Sequence, residues 1–413
     1  MPAALTLTEL AETLTGLTYI PGSAAEPTPL LELWASDPDR TRGAQILTSL
    51  VPGINSLSLD HLHPTATVTG LFMQPAWQAA QAAGRFRHVP LSYSGFTRHV
   101  RERVRPDTCV VHVSPPDRAG RCSFGPAVEF TPLVRAQSRR TVALINPALP
   151  PMPGAASVDY ASLDAVVETG FAPRGYVVGV PNQVALAIAG HVAGLIGDGC
   201  TLQAGLGRVP DALLALLHDR RGLRLHSGML ADSALDLCDA GALDPASVPT
   251  SCVWVGSPAL YERLRGRDGL VVAGCDVTHD PARLAALPRF HAVNSALSVD
   301  LFGQANLEIA DGHAVSGIGG AGDFARGARA SEGGLSIVAL PSTSRGRSRI
   351  VARLDDGIAS LSRTDIDVVV TEHGVADLRG LSVHGRAEAL IAVAGPAFHA
   401  DLIDAWALVR CRL

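Results

Sequence analysis

The sequence predicts an α/β protein that contains two domains built on parallel sheets, and three observations support this. Short apolar runs without polar alternation recur along the chain, among them CVVHV (109–113) and DVVVTE (367–372). Runs of this kind are typical of strands covered on both faces, as in parallel sheets. Longer helical segments lie between the runs, which is the α/β pattern. The 413 residues also exceed one ordinary core, because domains average about 150 residues.

The individual elements follow from the same patterns. The clearest helix spans 182–197, where Asn182 can cap the first turn and Gly197 can end the last one. A second helix spans 210–219, with Pro210 at a position that the first helical turn tolerates. Three further apolar runs predict strands: TVALI (141–145), GLVVAG (269–274) and LSIVAL (335–340).

The domain boundary is predicted from two segments rich in Pro and Gly. PPMPGAAS (150–157) is followed by GFAPRGYVVGVPNQ (170–183), which leads into the long helix. We therefore place the boundary near residue 180, which gives domains 1–180 and 181–413.

Composition excludes several classes of protein. Hydrophobic residues make up 47% of the chain and the mean hydropathy is +0.22, which is too apolar for a disordered chain. The net charge of -5 and the isoelectric point near 6.3 argue against nucleic acid as a partner. No apolar run approaches the ~20 residues of a membrane helix, and the N-terminus has no basic leader. We expect a cytoplasmic protein with no membrane partner.

The cysteines and histidines give no sign of a metal or of a disulfide framework. The seven cysteines are scattered singly without a CxxC pair, so we expect them to be reduced and mostly buried. The fourteen histidines are dispersed and show no ligand spacing. The sequence therefore predicts no metal.

A first candidate site lies in DGCTLQAGLGRVPDALLALL (198–217). A predicted strand that contains Gln203 leads into a turn with Gly205 and Gly207, and a helix follows. In such a turn, backbone N–H groups can approach an anion or a carbonyl oxygen. The alternative is an ordinary strand-to-helix turn that binds nothing.

A second candidate site lies in LRLHSGMLADSALDLCDAGAL (223–243). The predicted strand ends in His226, Ser227 and Gly228, at the edge where open α/β sheets place their sites. The alternative for His226 is a core histidine bonded to the backbone.

Two further segments can meet a ligand. Gly319 and Gly320 lie in the glycine-rich VSGIGGAGDFARGA (315–328), which allows either close backbone approach to a ligand or a tight bend. STSRGRSRI (342–350) places three arginines beside serines, so these residues can bind phosphates or can simply be solvated.

Taken together and in this order, the segments resemble the class I coenzyme A transferases, in the branch of acetyl-CoA hydrolase/transferases and 4-hydroxybutyrate CoA-transferases. The resemblance covers nearly the whole chain. Its motifs are VHVSPPDRAGRCSFG (111–125), INPALPPMPG (145–154), LQAGLGRVPDALL (202–214), LHSGMLAD (225–232), VNSALSVDLFGQANLE (293–308), GIGGAGDFARGA (317–328), SRIV (348–351) and VVTEHGVADLRG (369–380).

The resemblance implies two similar α/β domains with the acyl-CoA in the cleft between them, and a homo-oligomer. Coenzyme A enters as part of the acyl-CoA substrate, and the partner is a small-molecule acceptor. Gln203 and the amides around Gly205 and Gly207 would polarise the thioester carbonyl, and the backbone at Gly319 and Gly320 would approach the thioester or pantetheine. The expected phosphate contacts are Arg345, Arg347, Ser348 and Arg349.

One departure changes the expected chemistry. In the family, a glutamate that follows the His-Ser pair attacks the thioester and becomes covalently acylated. This chain has Gly228 there, and Ala321 stands where the family usually has glutamine. Glycine has no carboxylate, so the family's ping-pong transfer should not run at this position.

Three interpretations remain open. In the first, the gap at Gly228 admits water or an acyl acceptor, which attacks the thioester directly with His226 as general base. In the second, another carboxylate takes over and CoA transfer survives; Asp232, Glu308 and Glu372 are the candidates. In the third, the protein is a non-catalytic acyl-CoA-binding or partner subunit.

Overall fold

The computed structural model describes residues 1–354 and 358–412 of the chain. These residues pack into two compact units. The first unit comprises Met1–Val177, Gly228–Asp232 and Val248–Thr278, and the second comprises Val178–Ser227, Ser233–Ser247 and His279–Leu413. The chain leaves the first unit after residue 177 but returns to it twice, so neither unit is one continuous stretch.

The first unit is built on a sheet of eight strands that are all parallel to their neighbours. In chain order the strands are Ala3–Ala4 (β1), Leu17–Ile20 (β2), Gln45–Thr48 (β3), Thr67–Gly70 (β4), Phe86–His88 (β5), Thr108–Val113 (β6), Arg140–Ile145 (β7) and Ala165–Glu168 (β8). Their order across the sheet is β1-β8-β7-β6-β2-β3-β4-β5. The direction of winding therefore reverses between β2 and β6, which makes this the switch point of the sheet.

The second unit is built on a six-stranded sheet. Its strands are Thr201–Ala204 (β9), Arg224–Leu225 (β10), Phe290–Asn294 (β11), Leu335–Ala339 (β12), Val368–Thr371 (β13) and Gly374–Asp377 (β14). The order is β10-β9-β11-β12-β13-β14, and only β13 and β14 are antiparallel. Winding reverses between β9 and β11, so a second switch point lies there.

Helices connect the strands. They are Leu7–Thr13 (α1), Thr28–Ser36 (α2), Gln78–Ala82 (α3), Tyr93–Arg103 (α4), Thr131–Gln137 (α5), Gln183–Ala193 (α6), Arg208–Leu216 (α7), Asp232–Asp239 (α8), Pro258–Leu264 (α9), Cys275–Thr278 (α10), Pro281–Ala286 (α11), Ala321–Ala330 (α12), Val383–Ala392 (α13) and His399–Arg410 (α14). Short 3-10 turns occupy Ser23–Ala25, Pro38–Thr41, Leu59–His61, Pro75–Trp77, Tyr160–Ser162 and Pro396–Phe398. Within the described ranges, no helix is both long and apolar enough to cross a bilayer.

Short strands outside the two main sheets pair locally. The pairs are Arg121–Ser123 with Ser157–Asp159, Met229–Leu230 with Val253–Trp254, Thr250–Ser251 with Val271–Val272, Ile309–Ala310 with His313–Ala314, and Thr343–Ser344 with Arg347–Ser348. Ser298–Asp300 pairs with both Ala305–Asn306 and Ile350–Val351.

The predicted α/β class with parallel sheets is confirmed. The run at 109–113 falls within β6, and all six residues of that strand are buried, as expected for a strand covered on both faces. Asn182 caps α6 by accepting a hydrogen bond from the amide of Ala185. The helix ends earlier than predicted, with Gly194 rather than Gly197 at its C-cap. The run at 269–274 forms only a two-residue strand.

Candidate active site

The second unit contains a pocket at the switch point of its sheet. Its volume is about 490 Å³, within the range of small-molecule sites. The lining includes Gly205 and Leu206 after β9, Asn294 and Ser295 at the end of β11, and Glu372 after β13. Open α/β sheets place their ligands outside the carboxyl ends of the strands at this point. The sheet topology therefore marks the pocket as a candidate binding site.

Two helices begin at this pocket. Asn182 and Ala185 of α6 line it, and so does the turn from Gly205 to Arg208 that starts α7. Gly207 is the N-cap of α7, and its φ of 128° is a conformation that favours glycine. Glycine has no side chain to cap the helix, so the amides of Arg208 and Val209 in the first turn have no partner from a capping side chain. The N-terminus of α7 and the Arg208 guanidinium give this end of the pocket a positive character.

A carboxylate balances that charge on the β13 side of the pocket. Glu372 accepts hydrogen bonds from the amide of Ser342 at 2.8 Å and from its hydroxyl at 2.7 Å. His373 lies close by, with its Nε2 3.1 Å from the Ser342 hydroxyl. Burial raises the pKa of Glu372, but the Ser342 hydrogen bonds and the neighbouring His373 outweigh it and hold the pKa below its usual value. Glu372 is therefore ionised at neutral pH.

The strand pair β9 and β10 brings together the residues that the sequence places at the two strand ends. His226 is 7% exposed, and its amide donates to the carbonyl of Leu202 at 3.1 Å. Ser227 is buried, and its hydroxyl donates to the carbonyl of Ala204 at 2.7 Å. This hydroxyl ties the two strand ends together. Gln203 is 4% exposed and its Oε1 is buried with no hydrogen-bond partner among the described residues.

Gly228 belongs to the first unit, where its carbonyl oxygen is held firmly. The oxygen accepts hydrogen bonds from the amides of Cys252 and Val253, both at 3.0 Å, and from the Cys252 thiol at 3.1 Å. The following strand, Met229–Leu230, pairs with Val253–Trp254. These contacts fix the backbone at Gly228, which has no side chain of its own to contribute.

A second imidazole lies near His226 in the second unit. His279 is 1% exposed, and its ring lies 4.5 Å from that of Phe324. Burial and the neighbouring His226 lower the pKa of His279 to about 3, so this imidazole is neutral at physiological pH. A Cβ added to Gly320 would come 2.4 Å from the Nε2 of His279. Gly320 is therefore a glycine because it packs against an imidazole.

Comparison with known proteins identifies the family. The C-terminal domain of the acetyl-CoA hydrolase/transferases matches residues 256–406. The 4-hydroxybutyrate coenzyme A transferase of Clostridium kluyveri is 30% identical over 393 residues, which cover 92% of this chain and 91% of that protein. The chain belongs to the acetyl-CoA hydrolase/transferase family of CoA transferases.

Solved structures of similar chains agree with this assignment. RipA from Yersinia pestis superposes with a TM-score of 0.90 at 27% identity, over 99% of this chain and 98% of that one. The 4-hydroxybutyrate CoA-transferase from Porphyromonas gingivalis superposes with a TM-score of 0.80 at 26% identity, over 100% of this chain and 98% of that one. The fold of the whole chain is thus that of the CoA transferases.

The arginines predicted for phosphate contacts lie on a hairpin. Thr343–Ser344 pairs with Arg347–Ser348, and Thr343 lines the pocket. Arg345 and Arg347 are exposed and form ion pairs with Asp311 at 3.7 and 2.8 Å. Arg349 is half-buried, and this burial lowers its pKa. The hydroxyl of Ser348 donates to the carbonyl of Ile350 at 2.6 Å. Two of the four predicted phosphate ligands, Arg345 and Arg347, are therefore exposed to solvent, and none of the four lines the pocket.

The three carboxylates that could replace the family's glutamate differ in their hydrogen-bond partners and in whether they line the pocket. Asp232 accepts hydrogen bonds from the amide and hydroxyl of Ser257, at 3.0 and 2.6 Å, and so positions the residue that caps α9. Glu308 is buried and accepts from the hydroxyl of Ser360 at 2.7 Å. Of the three, only Glu372 lines the pocket.

The sequence patterns did not indicate two buried groups, His279 and Glu129. His279 lies in THDP (278–281), where Asp280 caps α11, so the segment is typical of a helix start. Glu129 lies in PAVEFTPL (126–133), and its signal was a lone acid within an otherwise uncharged, largely apolar segment. A carboxyl group in an apolar segment is expected to be buried, and a buried carboxyl group is tolerated only when it is protonated or paired with a hydrogen-bond donor or a cation.

Proposed function

We propose that this protein binds an acyl-CoA and passes the acyl group directly from the thioester to an acceptor or to water. The observation that carries the proposal is Gly228. It stands where the family resemblance places the nucleophilic glutamate, and the motif residues on both sides are retained. Without a carboxylate at this position, no acyl anhydride or glutamyl thioester can form there.

The described geometry supports a reaction of this kind. The pocket at the switch point offers the amides and Arg208 at the start of α7, which can bind an anionic or carbonyl oxygen. His226 follows β10, next to the end of β9, and we assign it as the general base that takes the proton of the attacking group. Gln203 and the backbone at Gly205 would polarise the thioester carbonyl.

The remaining substrate contacts extend the same proposal. Gly319 has a φ of 55° and introduces α12, so its backbone can turn tightly against pantetheine. Arg345, Arg347, Ser348 and Arg349 would contact the CoA phosphates from the hairpin. No metal takes part in this scheme.

A second candidate function rests on Glu372. This carboxylate is ionised and lines the pocket, so it can in principle accept the acyl group and preserve ping-pong CoA transfer. Its hydrogen bonds with Ser342 weaken it as a nucleophile, because both donors stabilise the charge that attack would consume. Direct transfer is therefore the better-supported function.

A panel of short acyl-CoAs, assayed with and without acetate, tests the proposal. Free thiol and exchange of CoA between acyl groups are followed in the same samples. Thiol release without exchange, with saturation kinetics of a ternary complex when an acceptor is required, is the expected result. Exchange without thiol release would instead assign ping-pong transfer, and Glu372→Gln should then abolish it. Binding without either reaction would assign an acyl-CoA-binding role.

A further inference from the structure

The pocket of the second unit extends across the carboxyl ends of four strands. It is lined by Gly205 after β9, Asn294 at the end of β11, Pro341 after β12 and Glu372 after β13. Neighbouring strands lie about 4.8 Å apart, so the three spacings from β9 to β13 amount to roughly 14 Å. Arg208, at the β9 end, is exposed. A ligand can therefore enter the pocket from solvent and contact both of its ends.

Hydrogen-bond donors collect at the β9 end of the pocket. The Arg208 guanidinium pairs with no carboxylate among the described residues. The Nδ2 of Asn294 is buried and has no hydrogen-bond partner in the same part of the chain. The first turn of α7 has no capping side chain, so its amides add further donors. Because a buried donor is unfavourable when it is left unsatisfied, the Asn294 amide indicates a ligand oxygen at this end.

The lining between the two ends is mainly apolar. Val293 lies on β11, and Ala339 and Pro341 lie at the end of β12; these two strands separate β9 from β13. In the part of the lining that the structure describes, Arg208 and Glu372 are the only charged residues. The middle of the pocket therefore suits an aliphatic chain, and its ends suit groups of opposite charge.

The carboxylate at the β13 end has no fixed cation beside it. The Glu372 side chain is 15% exposed, and its two hydrogen bonds come from the neutral amide and hydroxyl of Ser342. No arginine pairs with it within the described ranges, and the Nε2 of His373 lies 3.7 Å from its Oε1, beyond hydrogen-bond distance. An ionised carboxylate offers about four acceptor positions, so positions remain for another donor. A cationic donor suits them best, because buried charges are stable when they are paired.

We propose that the acyl group of the substrate carries an amino group at its far end, so that the protein acts on ω-aminoacyl-CoA thioesters. The thioester oxygen accepts hydrogen bonds from the Asn294 amide and from the donors at the start of α7. The methylene chain lies along the apolar lining, and the ammonium group donates to Glu372. This inference rests on the proposed function, because it takes the pocket as the site of the acyl thioester.

The dimensions and charge of the pocket argue against other acyl groups. An α-aminoacyl group holds its carbonyl and amino groups close together, so it cannot contact both ends of the pocket. A terminal hydroxyl can donate to Glu372 but leaves the charge of the carboxylate unbalanced. A terminal carboxylate would be repelled by it. The expected order of affinity for the far group is therefore amine, hydroxyl, methyl and carboxylate.

Free acids can test this order, because their carboxylate presents an oxygen to the donor end and no turnover is needed. The experiment is a ligand-observed NMR titration of the full chain with δ-aminovalerate, δ-hydroxyvalerate, valerate, pentylamine and glycine. δ-Aminovalerate should bind about 10- to 150-fold more tightly than valerate, which is the effect of one hydrogen bond to a charged group. Glycine should bind more weakly than δ-aminovalerate, because its two charged groups are too close together.

Two substitutions separate the ends of the pocket. Glu372→Gln should abolish the preference for δ-aminovalerate over valerate and leave the affinity for valerate unchanged, which also shows that the pocket is intact. Arg208→Gln should weaken the binding of both carboxylates and leave the affinity for pentylamine unchanged. The matched controls are Glu388→Gln on α13 and Arg283→Gln on α11, since both residues are exposed and neither lines the pocket. Thermal melts confirm that all variants fold.

Equal affinity for δ-aminovalerate and valerate, or for δ-aminovalerate and δ-hydroxyvalerate, would overturn the proposal. A preference for the amine that persists in Glu372→Gln would overturn it as well, and so would tighter binding of glycine. The acyl-CoA panel assay tests the proposed function separately. Thiol release in that assay without a preference for the amino acid would support direct transfer and refute the amino group. The preference without thiol release would support the ligand and refute direct transfer.

Discussion

Ser342 donates two hydrogen bonds to Glu372, one from its amide at 2.8 Å and one from its hydroxyl at 2.7 Å. Together with His373 they keep the pocket carboxylate ionised, although burial acts in the opposite direction. The pair joins the segment after β12 to the segment after β13, so one contact both shapes the pocket and sets its charge.

Ser342→Ala should therefore destabilise the protein in a pH-dependent way. The folded-state pKa of Glu372 lies below its unfolded value, so the stabilisation is present at neutral pH and is lost as the pH falls through the folded pKa. Loss of one charge-assisted bond should cost about 1.5–3 kcal/mol at pH 7. Urea unfolding at pH 7 and pH 3 measures the difference. Ser344→Ala, on the same hairpin, is the matched control, and an equal loss in both variants would contradict the prediction.

Gly320→Ala should destabilise the second unit. The new methyl group would come 2.4 Å from the Nε2 of buried His279 and 3.1 Å from Phe324, so the rings must shift. Overpacking of this kind costs about 1–3 kcal/mol. Gly190→Ala is the control, because Gly190 lies within α6 and nothing lies within 4 Å of its added Cβ. That change should stabilise the helix by up to about 1 kcal/mol. Equal melting temperatures for the two variants would argue against the packing explanation.

Glu129 should make the stability of the first unit fall as the pH rises. Its folded pKa of about 7 exceeds the unfolded value of 4.5, so between these limits the native state binds the proton more tightly. The free energy of unfolding then decreases with pH, by at most about 1.4 kcal/mol per pH unit, and levels off above about 7. Glu129→Gln should remove this slope. Denaturant unfolding from pH 4.5 to 8 tests the sign, and parallel curves for variant and wild type would disprove it.

Gly228→Glu should introduce covalent chemistry. If the site otherwise retains the family's geometry, a carboxylate at this position can attack the thioester and begin CoA exchange with acetate. Mass spectrometry of the protein incubated with acetyl-CoA should then detect a CoA or acyl adduct at residue 228. Gly228→Ala adds a side chain without a carboxylate and should show no adduct. A Glu variant that folds but gives neither adduct nor exchange would count against the role assigned to this position.

The double substitution Arg345→Ala with Arg347→Ala should raise the Michaelis constant for acetyl-CoA and leave stability nearly unchanged. Both side chains are exposed, and among residues 1–354 and 358–412 their one ion-pair partner is Asp311; such surface pairs contribute at most about 1 kcal/mol. Asp311→Ala should lower the same constant, because it releases both arginines. Steady-state kinetics at low and high salt measure the effect. Equal constants in all three proteins would mean that the hairpin arginines do not contact CoA.

Most of the architecture could be predicted from the sequence, because buried parallel strands give continuous apolar runs. The runs at 109–113 and 141–145 lie within β6 and β7, where apolar side chains on both faces produce continuous hydrophobicity. The sequence did not predict that residues 228–232 and 248–278 belong to the first unit. Their strands are two residues long, and no periodicity can develop over that length.

The sequence could indicate residues of the candidate site only where they form backbone turns. Gly205 and Gly207 line the pocket, and a glycine turn between a strand and a helix has a recognisable sequence pattern. Glu129 was not found, because its properties come from Ser23 and Ser49, which lie 106 and 80 residues away in the sequence. Its pKa is set by burial and by hydroxyl groups from distant segments, and neither is visible at position 129.

The first unit contains segments from distant parts of the chain, so it cannot be completed until the last of these segments has been synthesised. Residues 1–177 emerge from the ribosome first, but the unit also requires residues 248–278. Glu129 illustrates the dependence, because its carbonyl accepts a hydrogen bond from the amide of Cys275 at 2.8 Å. At about 5–20 residues per second, roughly 100 further residues take about 5–20 seconds to translate. For that interval all eight strands of the main sheet are present, but the segments 228–232 and 248–278 that complete the first unit are not.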